Sequence, residues 1–112
     1  MNESILVSIK KLLGIAGDYP YFDADIITHI NSVLMVLTQV GVGPEDGFTI
    51  TGDTETWKQF LGTDSSKLMA VRTYVYLKVK IIFDPPQSSA AIESINRLIN
   101  EFEWRLNVAA EK

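Results

Sequence analysis

The sequence predicts an all-α fold, a compact bundle of about four to five helices with a long central helix and a long C-terminal helix. Three observations lead there. Residues 66–83 form a long, strongly apolar run without Gly or Pro, framed by Ser66 and by Asp84-Pro85-Pro86. Other segments repeat apolar residues every three or four positions between cap residues and glycines. The only other β-like run, Phe48-Thr49-Ile50-Thr51, is too short to build a stable sheet.

Composition narrows the class. With 112 residues, 46% of them hydrophobic and 21% charged, the chain reads as one globular domain over residues 1–112. A chain of that size buries roughly two-thirds of its unfolded surface and needs no metal or disulfide to fold. Cysteine is absent, which excludes a disulfide framework and a thiolate metal site and agrees with a reducing compartment. The first residues, MNESILVSIKKLLG, lack a cationic leader and a continuous apolar run, and the central run carries Arg72, Lys78 and Lys80, so neither a signal peptide nor a membrane span is expected. A net charge of -4 argues against holding a phosphate backbone through bulk charge.

Taken in order, the first helix follows from Ile5, Leu6, Ile9, Leu12 and Leu13, which recur on one face. Asn2 or Ser4 caps it, Gly14 stops it, and Lys10 and Lys11 fall in its last turn, where the helix dipole favours cations. Residues 15–22, with Gly17, Asp18 and Pro20, read as a loop. Asp23 is placed to cap a second helix over 24–40, whose Ile26, Ile27, Ile30, Val33, Leu34, Leu37 and Val40 make one stripe, and Gly41 ends it. Residues 41–48 hold three glycines but lack the spacing and the Lys-Ser/Thr end of a phosphate loop, and Glu45 and Asp46 would repel phosphate. They read as a turn-rich connection shaped by Pro44 and Gly47, pinned to the core by Phe48 and Ile50. Asp53 or Thr54 would cap a brief helix over 55–61 carrying Trp57, Phe60 and Leu61, with Gly62 as its stop.

The central run has two periods. From Arg72 to Ile81 it alternates as a half-buried strand would, and periodicity alone leaves helix and strand open there. Its length, the helix formers from Lys67 to Arg72 and the lack of strand partners favour a helix. Asp64, Ser65 or Ser66 would cap it. A helix so apolar on nearly every face should be buried on nearly every side, its cations snorkelling outward. Asp84 before Pro85 and Pro86 ends it, because a residue preceding proline is pushed out of the helical region.

Ser88 or Ser89 then caps a final helix over about 90–108, with Ile92, Ile95, Ile99, Phe102 and Leu106 on its inner face and Leu98 widening it. Opposite lie Glu93, Arg97, Asn100, Glu101 and Trp104, the indole standing about 200° round the helix from Phe102. Trp104 either covers a neighbouring loop or helix end, or, with Arg97, Glu101 and Arg105 around it, forms part of a docking surface for a partner or an adjacent subunit.

Asp23, Asp25 and His29 are the one constellation that invites a catalytic or metal reading, that of a small helical enzyme or regulator. Asp at a helix start already explains both carboxylates, and His29 is the only histidine, with no second His or Cys to complete a transition-metal site. No cofactor, metal or catalytic residue is therefore expected. A helical transcription factor would need a basic recognition helix, which is missing.

The stretches Tyr74-Val75-Tyr76-Leu77-Lys78-Val79-Lys80-Ile81-Ile82-Phe83-Asp84-Pro85-Pro86 and Glu101-Phe102-Glu103-Trp104-Arg105-Leu106-Asn107-Val108 resemble the head-tail connector (head completion, or adaptor) proteins of long-tailed phages and prophages. The segments Asp25-Ile26-Ile27-Thr28-His29-Ile30-Asn31-Ser32, Gly41-Val42-Gly43-Pro44 and Trp57-Lys58-Gln59-Phe60-Leu61 resemble that family in the same order, so the likeness spans nearly the whole chain. It implies an all-helical, non-enzymatic structural protein that forms a ring on the portal vertex. Such a ring joins the capsid to a stopper or tail-completion protein and leaves a channel for DNA. The implied partners are the portal protein, the stopper or tail-completion protein and further copies of the chain, with no sequence-specific nucleic acid binding and no membrane. The implied places are the virion neck and, during assembly, the bacterial host cytoplasm.

Overall fold

A computed structural model describes residues 2–63 and 65–110. Among them run five helices and no strand: α1 (Ile5–Leu13), α2 (Asp23–Gln39), α3 (Trp57–Leu61), α4 (Leu68–Phe83) and α5 (Ser89–Ala110). The all-α expectation holds, and the two-period run is a helix. α4 packs on α2 and α5, and α1 lies against both α2 and α4.

The core explains that arrangement. Ile5, Leu6 and Ile9 of α1, the stripe Ile26, Ile30, Val33, Leu34 and Leu37 of α2, and Val71, Tyr74, Val75, Leu77 and Val79 of α4 form one buried cluster. Trp57 and Phe60 of α3, Val42 and Ile50 from the long connection, and Ile99 and Leu106 of α5 complete it. The buried residues of α4 are confined to its middle turns. Met69 in the first turn and Ile82 in the last stay 73% and 59% exposed, so burial on nearly every side is corrected: only the turns where three helices converge are enclosed.

Helix ends follow local chemistry, with corrections. The Ser4 hydroxyl accepts from the Val7 amide at the start of α1, and Gly14 closes that helix with φ 84°, a left-handed conformation that costs a Cβ-bearing residue roughly 1–2 kcal/mol. α2 begins at Asp23, not after it; Phe22 holds the cap position and has no side-chain acceptor to offer, while the Asp23 carboxylate pairs with Lys10. The start of α3 is set by Thr56, not by Asp53 or Thr54: Thr56 Oγ1 accepts from Gln59 N at 3.2 Å while Gln59 Oε1 accepts from Thr56 N at 2.9 Å, a reciprocal capping box. Glu55 stays outside α3. Burial raises its carboxyl, but the hydrogen bonds donated by the Thr51 hydroxyl, the Thr51 amide and the Gly52 amide outweigh that and hold it below the ordinary range.

Before α4 the cap position belongs to Lys67, which makes no side-chain capping bond; the Leu68 amide turns back to the Ser65 carbonyl, and the candidate Asp64 lies outside the described residues. Ser88 caps α5 as expected, accepting from the Ala91 amide at 3.1 Å, and α5 runs on to Ala110.

The connection from α2 to α3 has no helix or strand of its own, and side chains hold it in place. Asn31 Nδ2 donates to the Ile50 carbonyl at 3.0 Å and Asn31 Oδ1 accepts from the Ile50 amide at 2.7 Å, so one amide group supplies the pairing a neighbouring strand would. Phe48 rests against Phe60 with ring centroids 5.5 Å apart. Gly43, at φ 90°, lets Phe60 approach so closely that a Cβ would meet Phe60 Cε1 and lie 2.7 Å from Cζ. On the far side the Ile5 amide donates to the Glu55 carbonyl and the Trp57 amide to the Glu3 carbonyl, while Trp57 Nε1 donates to Ser8 Oγ at 2.8 Å.

Candidate interaction surface

Trp104 lies on the outward face of α5 and is 65% exposed. That face exists because α5 gives the core little: only Ile99 and Leu106 are buried, with Ile95 and Phe102 packed against the core in part. Leu98, expected to widen the inner face, is exposed instead, and Val108 is exposed too. The helical repeat places Trp104 and Val108 about 40° apart on one outward stripe, while Leu98 lies about 120° from Trp104, at the edge of the inner face. Along that stripe Arg97 pairs with Glu93 and Arg105 with Glu101, each at 3.0 Å and one helical turn apart. Exposed pairs of this kind contribute little stability, roughly 0.3–0.5 kcal/mol, and leave the guanidinium groups ready to exchange partners. Arg97, Glu101, Trp104 and Arg105 thus share one accessible surface.

Besides its buried Ile99 and Leu106, α5 is tied to α4 by a part-buried polar contact. Tyr74 of α4, fully buried, donates its hydroxyl to Glu103 Oε2 at 2.6 Å. Burial first, and the neighbouring Glu103 carboxylate second, push that phenol well above its ordinary pKa, so it stays a donor.

A second apolar feature sits where the end of α1, the loop after it and the end of α4 meet. Leu13, Ile15, Phe22, Phe83 and Asp84 line a groove of about 370 Å³. Phe22 meets Phe83 edge-on at 5.3 Å, Tyr21 stacks edge-on against Phe22 at 4.9 Å, and Tyr21 is 76% exposed. Nothing in the reading of residues 15–22 as a plain loop anticipates this. The signal available was three aromatic residues, Tyr19, Tyr21 and Phe22, within one short connection. A wider groove of about 630 Å³ on the other side of α2 is lined by Thr28, Ser32, Thr38 and Asp46 beside Met35 and Phe48.

The carboxylates near His29 are not assembled into a site. Asp23 Oδ1 lies 2.7 Å from Lys10 Nζ, Asp25 is exposed, and half-buried His29 turns its ring toward Phe83 at 6.5 Å. None of the three lines either groove. Among the described residues no group of three or more His, Cys, Asp or Glu is placed to hold a metal, and no helix is long and apolar enough to cross a membrane.

No curated protein and no solved structure matches the chain. A family model does, that of the phage connector protein, over residues 5–112. The match takes in all five helices, the stripe of α5 and the aromatic groove together. On that match the chain belongs to the phage connector protein family, and its role is that of a structural connector in a phage particle.

Proposed function

We propose that this chain is a head-tail adaptor that assembles as a ring on the portal vertex, joins the capsid to a stopper or tail-completion protein, and leaves a passage for DNA. Its place is the virion neck, after assembly in the bacterial host cytoplasm. Family membership supports the connector role. The observation that carries the finer reading is the outward stripe of α5, where Trp104 stands exposed among Arg97, Glu101 and Arg105. Aromatic and arginine residues are the side chains that most often anchor interfaces. A contact repeated head to tail closes into a ring when the rotation between copies permits.

The net charge of -4 fits a passage that releases DNA instead of holding it, since little is gained by displacing counterions. The enzyme reading draws no support from Asp23, Asp25 and His29, which do not converge.

Electron microscopy of the chain mixed with a cognate portal tests the proposal. Rings seated on the portal are the expected result; absence of any interaction overturns it. A gel shift with random duplex at physiological salt checks the passage, where steep, salt-dependent binding would contradict a non-adhesive lining.

A further inference from the structure

We infer that the groove formed by Leu13, Ile15, Phe22, Phe83 and Asp84 receives Trp104 of a second copy of this chain, so that knob and socket on one molecule make the contact between neighbours. The inference rests on the ring reading above and names the two surfaces that would meet.

The knob cannot reach the socket of its own chain. Glu103, next to Trp104, is tied to Tyr74, whereas Phe83 and its C-cap Asp84 lie at the far end of α4, roughly 15 Å on at the rise of an α-helix. An exposed indole and an apolar groove at separate places on one molecule are complementary only between molecules, and such a contact is head-to-tail.

The chemistry of the two surfaces matches. Four of the five lining residues are apolar, and Phe22 and Phe83 already stand edge-on at 5.3 Å, a geometry a third ring extends. An indole offers one N–H donor and no acceptor; the groove offers one polar side chain, the Asp84 carboxylate, which only accepts. Arg105, next to Trp104 in the chain, and Arg97, about two turns before it on the same side of α5, carry charge that complements Asp84. Their present partners Glu93 and Glu101 are exposed neighbours in the same helix and are released at small cost, and Asp84, 58% exposed, keeps Lys80 at 3.0 Å. The wider groove beside Met35 is a poorer socket, since hydroxyls of Thr28, Ser32 and Thr38 line it.

Sedimentation of the free chain over a range of concentrations tests this. The wild type should self-associate, and Trp104→Ala or Ile15→Glu should each weaken association about thirtyfold. Mixed together, those two variants should give a one-to-one heterodimer and nothing larger, because one keeps the socket and the other the knob. If Ile15→Glu fails to fold by circular dichroism, Asp84→Lys, at an exposed position, takes its place in the mixture. Equal association of wild type and variants, no heterodimer in the mixture, or a wild type still monomeric at about 1 mM overturns the inference. Portal-bound rings that form equally well with Trp104→Ala would leave the ring reading standing and remove this contact. Trp104-dependent self-association without rings on the portal would do the reverse.

Discussion

The ammonium of Lys10 lies 2.7 Å from Asp23 Oδ1 and joins the last turn of α1 to the first turn of α2. Lys10 is 1% exposed, and its nitrogen also donates to the Tyr19 carbonyl at 2.7 Å and the Gly17 carbonyl at 3.1 Å. The Asp23 contact is an ion pair that lacks the alignment of a hydrogen bond. A buried cation is tolerated only with partners on every side, so this one ties the intervening loop to both helices.

Lys10→Ala should therefore destabilise the chain by about 2–3 kcal/mol, near the lower end for a broken buried pair because Asp23 keeps 31% of its side chain in water. Asp23→Ala should also destabilise, and the double variant should cost less than the two single changes added, with a coupling of about 1–3 kcal/mol. Urea denaturation of the four proteins measures it.

Gly43 and Gly47 have nearly equal positive φ, 90° and 91°, but different surroundings. Gly47→Ala meets open space and should cost only the backbone term, about 1–2 kcal/mol. Gly43→Ala must also displace Phe60 and should reach about 2–5 kcal/mol. Thermal melting of the pair separates conformational strain from crowding.

Tyr74→Phe removes the bond to Glu103 and should cost about 1–2 kcal/mol at neutral pH. Because folding raises the Tyr74 pKa, its contribution is fully present below the unfolded value of 10.0 and is lost as pH rises from there toward the higher folded value. Wild type should thus lose stability in that alkaline window more steeply than Tyr74→Phe. Denaturant midpoints on both sides of pH 10.0 check the difference.

The two tryptophans divide the molecule's energetics. Trp57 is fully buried and bonded to Ser8, and Trp57→Ala should cost about 3–5 kcal/mol. Trp104→Ala should change the stability of the isolated chain by less than about 0.5 kcal/mol, as an exposed side chain does. Circular dichroism melts distinguish them, and a large loss at Trp104 would assign it to the core.

Elements whose signals are local were legible in the sequence. Ser4 and Gly14 bound α1, five of the seven residues of the α2 stripe are buried as spaced while Ile27 and the C-cap Val40 are only partly so, and the missing strand partners decided α4. Residues with long-range partners were misread. A lysine in a last turn looks like a response to the helix dipole, and nothing near Lys10 reveals that Asp23 waits thirteen positions on. Asp53 and Thr54 are good cap residues, but Thr56 has Gln59 at the right distance to complete a box, and the N-terminal segment fixes that register through Glu3 and Ile5. The outward place of Trp104 followed from counting turns on one helix. The groove did not, because its walls come from three separate parts of the chain.

The side chain of Asn31 holding Ile50 also bears on hydrogen exchange. The Ile50 amide belongs to no helix, yet it is bonded at 2.7 Å and sits in a residue 1% exposed. It should exchange as slowly as helix amides, only when the connection lifts away from α2. Its rate then reports how often the loop between α2 and α3 detaches while the helices stay folded. Asn31→Ala should free that amide alone, and an Ile50 amide that exchanges like its exposed neighbour Thr49 in the wild type would show that the clamp does not persist in solution.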